Sequence, residues 1–542
     1  MALVKVDLRD IHKRTMEGVL AGNEAEISEC ILRTEQFLER DPHNWFALFI
    51  LGIAYRGLGK SSLAQALFYR AGELWPDEVA IWNNIGTCFR ENHNVELASK
   101  TFEDALKKWP KDGDLLINLG TMHINEGSPA RGEEVLRRAI EANPMRAEAH
   151  WNLGLTLLEQ EKWEEGFREY AWGQVGGNRM VKNYGSGVNA ATWWNGEAFD
   201  GTLIVYGEQG VGDEVMYASM LPELSRMCSR LIFDAHPRLC ELFKESFDDL
   251  FEVEVFPTRK DFDTSEEWWT NSLDWSRPVC KIPFGNVPKY LRKREEDFPK
   301  KTYLYPNGPL VESYKERFRK VCEGRSPIGI SWIGGAKSTR KDLRSIWLRE
   351  MYDAVKSFGK VLSVQYTGSQ EYFEEDMDIT DFPDIFESVR WERHYPLAKP
   401  GVKMREFSGE HIKVDEEGFC YLTDKVQAKR ISPCGQLEFT PPPLGFDLRQ
   451  TCAAFWAIHE LGGAIVTVNN SNVHLCGALG LPAFVLTPSA PAWRYGLTRS
   501  DMVWYNKESV TQYRQKLGDT WAPALAAMAE DLSKYLAERK LA

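Results

Sequence analysis

A chain of 542 residues is too long for one hydrophobic core, and at roughly 150 residues per domain it divides into three or four units. Its 43% hydrophobic residues exclude wholesale disorder, and no uncharged apolar run reaches the roughly 18 residues of a membrane span. The net charge of -13, shared about evenly between the first third and the rest, leaves no basic half to hold DNA or RNA, so only a local positive patch would do so.

The first third repeats itself. Pro42, Pro76, Pro110 and Pro144 stand 34 residues apart, and the same step carries Gly52, Gly86, Gly120 and Gly154. It also carries Phe68, Phe102, Leu136 and Tyr170, then Ala71, Ala105 and Ala139, then Tyr55, Phe89 and His123. The segment before Pro42 keeps the period and loses the large residue, at Thr34, as an end cap does. The pattern resembles the tetratricopeptide repeat, in which small residues let two antiparallel helices close up, large ones fill the gap and Pro ends the second helix. It predicts an α-solenoid of four to five repeats over residues 1–177. Such arrays curve, and the groove holds a peptide or packs against a neighbouring domain.

From Gly201 short apolar runs alternate with amphipathic stretches. Strands are expected at Leu203 to Tyr206 and Leu231 to Asp234, with helices at Glu214 to Met227 and Leu239 to Phe247. After a polar stretch the alternation resumes with strands at Ile328 to Trp332, Val361 to Gln365, Ala464 to Val468 and Ala483 to Leu486. Helices are expected around Leu348 to Phe358, Asp447 to Leu461 and Val473 to Leu479. This order predicts two α/β lobes with parallel sheets, residues 178–307 and 308–542. Ligands of such sheets sit at the carboxyl ends of the strands, so the strand-to-helix turns carry the chemistry.

Three turns stand out. In Tyr206-Gly207-Glu208-Gln209-Gly210-Val211-Gly212-Asp213-Glu214, three glycines free the backbone for a tight turn or a close ligand, and Asp213 opens the helix as a cap or as a working carboxylate. The spacing is not that of the dinucleotide fingerprint. Ser331-Trp332-Ile333-Gly334-Gly335-Ala336-Lys337, followed by Arg340, Lys341 and Arg344, gathers cations that would neutralise a diphosphate or remain a solvated loop. Val468-Asn469-Asn470-Ser471-Asn472-Val473-His474 sets caps and backbone N–H groups at a helix start, an anion site by geometry that capping alone would also explain. His474 on its own reads as a core or capping histidine. The ten cysteines include no C-x-x-C pair, which fits reduced thiols, and no metal site is expected.

These segments stand in order with Gly166-Phe167-Arg168-Glu169-Tyr170-Ala171-Trp172, Arg344-Ser345-Ile346, His474 to Pro482, Trp493-Arg494, Trp504-Tyr505 and Tyr513-Arg514-Gln515. Together they resemble the repeat-bearing glycosyltransferases of the heptosyltransferase-like type, similar in plan to O-linked N-acetylglucosamine transferases. The resemblance covers most of the chain. It implies the fold class α + α/β: an N-terminal tetratricopeptide-repeat α-solenoid followed by a two-lobed, Rossmann-like GT-B glycosyltransferase, lobe 178–307 facing the acceptor and lobe 308–542 the nucleotide-sugar. The implied reaction is an inverting, metal-independent transfer of a hexosyl or heptosyl group from a nucleotide-sugar donor to a protein or glycan acceptor, with no cofactor beyond the donor. By the same resemblance Asp213 is the general base, and Gly210, Gly212, Lys337, Arg344, Asn469, Asn470, Ser471, Asn472 and His474 form the donor site. A protein partner in the repeat groove, no membrane span and a cytoplasmic location complete the expectation.

Two departures bear on it. Relatives carry Asp-Thr where this chain has Asn469-Asn470, which keeps hydrogen-bonding capacity and removes a negative charge. The stretch 367–446, with Trp391-Glu392-Arg393-His394-Tyr395-Pro396 and Pro441-Pro442-Pro443, is too long for a plain connection and is expected to be a hairpin-rich insertion or lid. The alternatives are an inactive repeat-based adaptor and a transferase acting on modified nucleic acid, against which the acidic balance weighs.

Overall fold

The repeat columns become packed helix pairs. The computed structural model describes residues 7–179, 181–182, 184, 186–257, 270, 272–334, 341–365, 372–382, 412–414, 420–422, 429–431, 437–439 and 448–541. The chain divides into two compact units, residues 1–178 and 179–542. In the first, α1 (Leu8–Ala21), α2 (Glu24–Leu38), α3 (Trp45–Gly57), α4 (Ser61–Leu74), α5 (Val79–Glu91), α6 (Val95–Lys108), α7 (Gly113–Asn125), α8 (Pro129–Ala142), α9 (Ala147–Glu159) and α10 (Trp163–Tyr170) each pack on the next. Side chains start several of them: Asn44 Oδ1 accepts from Ala47 N at 3.0 Å, and Asp112 Oδ1 from Leu115 N at 2.9 Å. The four periodic prolines fall just past α2, α4, α6 and α8, which they cannot extend.

The glycine column and the large-residue column prove to be two sides of one contact. A Cβ added to Gly52 would lie 2.6 Å from Phe68 Cε1, and one added to Gly86 would lie 2.4 Å from Phe102 Cε1. At Gly120 it would meet Leu136 Cγ at 2.8 Å, and at Gly154 the Tyr170 backbone nitrogen at 2.3 Å. Only glycine lets the second helix of each pair lay its bulky residue across the first. Phe68, Phe102 and Leu136 are fully buried there.

The second unit opens with α11 (Ser186–Asn189), β1 (Thr192–Trp193), β2 (Phe199–Tyr206), α12 (Val211–Ala218), α13 (Leu221–Leu224) and β3 (Cys228–Ala235). It continues with α14 (Cys240–Phe251), β4 (Val253–Pro257), β5 (Val279–Pro283) and α15 (Pro288–Leu291). The strands form a parallel sheet in the order β1-β5-β2-β3-β4. The last six residues of β2 are buried, as in a strand covered on both faces. The single helix expected over Glu214 to Met227 is two pieces, because the ring of Pro222 would clash with the Ala218 carbonyl if α12 continued.

Next come α16 (Gly308–Cys322), β6 (Pro327–Ser331), α17 (Lys341–Arg344), α18 (Leu348–Val355), β7 (Lys360–Ser363) and β8 (Ile379–Asp381). Two antiparallel hairpins follow: β9 (Ile412–Val414) with β10 (Cys420–Leu422), and β11 (Lys429–Ile431) with β12 (Leu437–Phe439). The chain ends with α19 (Leu448–Glu460), β13 (Ala464–Val468), α20 (Ser471–Leu479), β14 (Ala483–Thr487), β15 (Val510–Arg514) and α21 (Ala522–Leu541). Six parallel strands run in the order β15-β14-β13-β6-β7-β8. Their core sets Ile328, Ile330, Val466 and Leu486 with Met528 and Leu532 of α21. The span expected as an insertion therefore first supplies the edge strand β8 and then the hairpins. Trp391 to Pro396 and Pro441 to Pro443 lie outside the described residues.

Chain direction across the sheet reverses between β2 and β5 in the first sheet and between β6 and β13 in the second. Loops leaving such a pair part to opposite faces and open a crevice at the carboxyl ends of the strands.

Candidate functional site

At the first crevice the turn after β2 is held by buried charge. The Glu208 side chain, 1% exposed, pairs with Arg179, itself 2% exposed, and accepts from Gln209 Nε2 at 2.9 Å. Arg179 Nη1 also donates to Asn286 Oδ1, just past β5, at 2.6 Å. Asp234 at the end of β3 takes the Tyr184 hydroxyl at 2.5 Å and an ion pair with Lys182. Burying these charges is tolerated because each has its counter-charge and hydrogen bonds. Glu214 Oε2 accepts from His236 N at 2.7 Å, and a Cβ on Gly207 would meet the other carboxylate oxygen at 2.1 Å, so the turn closes tightly over its own acid.

At the second crevice amides replace charges. Gln365 Oε1 accepts from Ser331 Oγ at 3.0 Å and from the backbone nitrogens of Trp332 at 3.1 Å and Ile333 at 2.9 Å, stitching the end of β6 to that of β7. Asn470 caps α20 by accepting from Asn472 N at 3.0 Å, and its Nδ2 donates to Ser331 Oγ at 2.9 Å. Thr467 Oγ1 donates to the same Asn470 oxygen at 3.1 Å, so this side chain, expected to face a donor, has its hydrogen-bonding capacity used inside the protein. Asn472 is likewise tied, its Nδ2 donating to Val364 O at 3.1 Å. Asn469 accepts from Thr487 Oγ1 at 3.0 Å. Among the described residues its Nδ2, like Gln365 Nε2, is buried without a hydrogen-bond partner.

The two crevices meet through α12 and α20, which pack together. A Cβ on Gly212 would lie 2.8 Å from His474 Cδ2 and 3.5 Å from Ser471 Cα, which brings the glycine turn against the first turn of α20. Asp213, in the first turn of α12, stays partly open, its side chain 14% exposed. One carboxylate oxygen accepts from Gly210 N at 3.3 Å and the other pairs with the Arg494 guanidinium. Arg494 comes from the turn that follows β14 and stands 5.7 Å from the Trp493 ring centre.

Three rings wall the junction. His474 Nδ1 lies 2.8 Å from the Tyr505 hydroxyl and its Nε2 lies 3.3 Å from that of Tyr495. Burial, then the charge of Arg494, holds the histidine well below its ordinary pKa, so it is a neutral, packed ring. Burial also pushes Tyr495 up to about 12, and the charges of Arg494, Arg344 and Asp213 all reach that ring. The Arg344 backbone lies across Gly334, where a Cβ would meet the Arg344 carbonyl oxygen at 2.6 Å.

Gly210, Gly212 and Asp213 therefore stand on one side of the junction and Asn469, Asn470, Ser471, Asn472 and His474 on the other. Lys337 lies outside the described residues. Sequence reasoning did not assign Gln365 or Ser331, whose only local signal is a polar residue closing an apolar strand, and it named Arg494 only as part of the Trp493-Arg494 segment.

A family model for the tetratricopeptide repeat matches residues 51–113, 83–144 and 117–171. Protein FlbA of Caulobacter vibrioides is 21% identical over 530 residues, covering 90% of this chain and 78% of that protein. BBSome complex member BBS4 of Bos taurus is 27% identical over 133 residues, 24% of this chain and 26% of BBS4. Among solved structures, pilF of Pseudomonas aeruginosa (17% identity, TM-score 0.28) covers 33% of this chain and 78% of its own. PilW, a type IV pilus biogenesis factor (22% identity, TM-score 0.28), covers 32% of this chain and 79% of its own. With the helix pairs described above, residues 51–171 are tetratricopeptide repeats, an array suited to binding a protein partner.

Proposed function

We propose that the second unit is a GT-B glycosyltransferase that moves a sugar from a nucleotide-sugar donor to a protein or glycan acceptor, and that the repeats hold the acceptor or its carrier. The observation that carries this reading is the apposition of a partly exposed carboxylate, Asp213, with the first turn of α20 and with Arg494. Buried amide donors on Gln365 and Asn469 support it, since ligand acceptors would satisfy them.

In this reading the acceptor hydroxyl gives its proton to Asp213 as its oxygen bonds to the anomeric carbon. The bond from that carbon to the diphosphate breaks on the opposite face, its electron pair leaves with the phosphate oxygen, and the anomeric configuration inverts. A carboxylate so placed contributes about 10²–10⁴-fold. The charge growing on the leaving diphosphate is met by the backbone N–H groups at the start of α20 and by Arg344 and Arg494.

Thermal shift against UDP-, GDP-, ADP- and CMP-sugars identifies the donor by the midpoint it raises. With that donor, Asp213→Asn is expected to keep at least the parent's donor-induced rise in midpoint and lose at least a hundredfold in release of nucleoside diphosphate. Full turnover in Asp213→Asn would remove the base assignment. The second reading, a repeat-based adaptor, is favoured by the ion pair that occupies Asp213; silence across the whole donor panel would leave it standing.

A further inference from the structure

Both oxygens of Asp213 are occupied: the Gly210 N–H holds one and the Arg494 guanidinium the other. Each oxygen keeps a second lone pair, so the guanidinium competes with an incoming hydroxyl for the carboxylate. The two partners differ in kind. The Gly210 contact is a 3.3 Å cap within one turn, whereas Arg494 reaches Asp213 from the turn after β14, 281 positions away in the chain. Arg494 shares its turn with Tyr495, whose hydroxyl lies 3.3 Å from Nε2 of His474 on α20 at the second crevice. It therefore stands between a single negative charge on one sheet and, on the other, the place where a diphosphate would sit.

Resting on the donor-site reading above, we infer that Arg494 exchanges partners: a bound diphosphate draws the guanidinium from Asp213, and the carboxylate is released to act as base only once the donor is in place. A guanidinium forks equally well onto carboxylate and phosphate, and the diphosphate offers more charge and more oxygens. The exchange makes Asp213 a competitor of the anion for Arg494, so donor and acceptor bind in that order. It also restrains wasteful attack, because an empty donor site leaves the base engaged. Arg494 is on this account a positioning residue for the base and a direct contact of the diphosphate.

The competition is measurable without knowing sugar or acceptor. Inorganic pyrophosphate is titrated by calorimetry into the full-length parent, Asp213→Asn, Arg494→Gln and the double variant, with thermal unfolding as the control for folding and Arg494→Lys as the charge-keeping variant. Removing the competing carboxylate is expected to tighten pyrophosphate binding roughly three- to tenfold, and removing Arg494 to weaken it by at least as much. In the Arg494→Gln background the gain from Asp213→Asn should vanish, since there is no longer a guanidinium to release. Arg494→Lys is expected to fall between parent and Arg494→Gln.

Equal affinity of parent and Asp213→Asn overturns the exchange and leaves the donor-site reading intact. A gain that persists undiminished in the double variant overturns it too, because long-range charge then accounts for the effect. Absence of pyrophosphate binding in every folded variant overturns the inference together with the reading beneath it.

Discussion

His459 on α19 carries no charge where it sits. Burial, reinforced by the nearby Arg539, brings its pKa down from the usual 6.5 to about 4, and Arg539 Nη2 donates to its carbonyl at 2.7 Å. His474 is depressed in the same direction. Between pH 6.5 and 4 the unfolded chain protonates these imidazoles and the folded one does not, so unfolding takes up protons and stability falls as pH drops through that window. Denaturant titrations at pH 7, 6 and 5 are expected to show the decline, and His459→Gln to flatten it; a His459→Gln protein with the parent's slope would assign the effect elsewhere. At this scale the sequence was informative where a residue acts locally. Asn470 was readable as the cap of α20, and the Gly212-Asp213 pair as the opening of α12. The bond from Asn470 to Ser331 spans 139 positions and the pair of Asp213 with Arg494 spans 281, and no local period or spacing records such partners.

Helix pairs in the first unit follow one rule, small against large, and the rule can be broken at will. Gly86→Ala would set a methyl 2.4 Å from the fully buried Phe102 ring and is expected to cost about 1–3 kcal/mol. Gly113→Ala, in the first turn of α7 with nothing within 4 Å, should leave the thermal midpoint unchanged or raise it. Equal midpoints for the two variants would contradict this account of the columns. The same rule made the repeats legible, since each column recurs at a fixed step. The strands were less so. β13 was read at its observed bounds, but β5 was missed because Lys281 interrupts it. That lysine is buried, its ammonium donating to Val188 O at 3.1 Å and Asn189 O at 2.9 Å, and burial lowers its pKa. β15 hid for a similar reason: Gln512 and Arg514 look like surface residues yet both donate to the Tyr495 carbonyl, at 2.9 and 2.7 Å. A charge that finds backbone partners inside the fold is invisible to hydropathy.

The whole molecule is two units, each with a core of its own: Phe68, Phe102 and Leu136 belong to the first, Ile330, Val466 and Met528 to the second. Fragments 1–178 and 179–542 are therefore each expected to unfold cooperatively when heated, the first with a fully helical circular dichroism spectrum, and the second to keep whatever nucleotide affinity the full chain has. A fragment 1–178 that melts without a transition would tie the two cores together. The starting point of the second piece is not free to drift. Arg179, Lys182 and Tyr184, the residues that answer Glu208 and Asp234, sit at its very beginning, ahead of the first strand. Trimming to residue 190 for a tidier end would strand two carboxylates in a dry interior, each deprived of its cation, and the shortened protein would be recovered from the pellet.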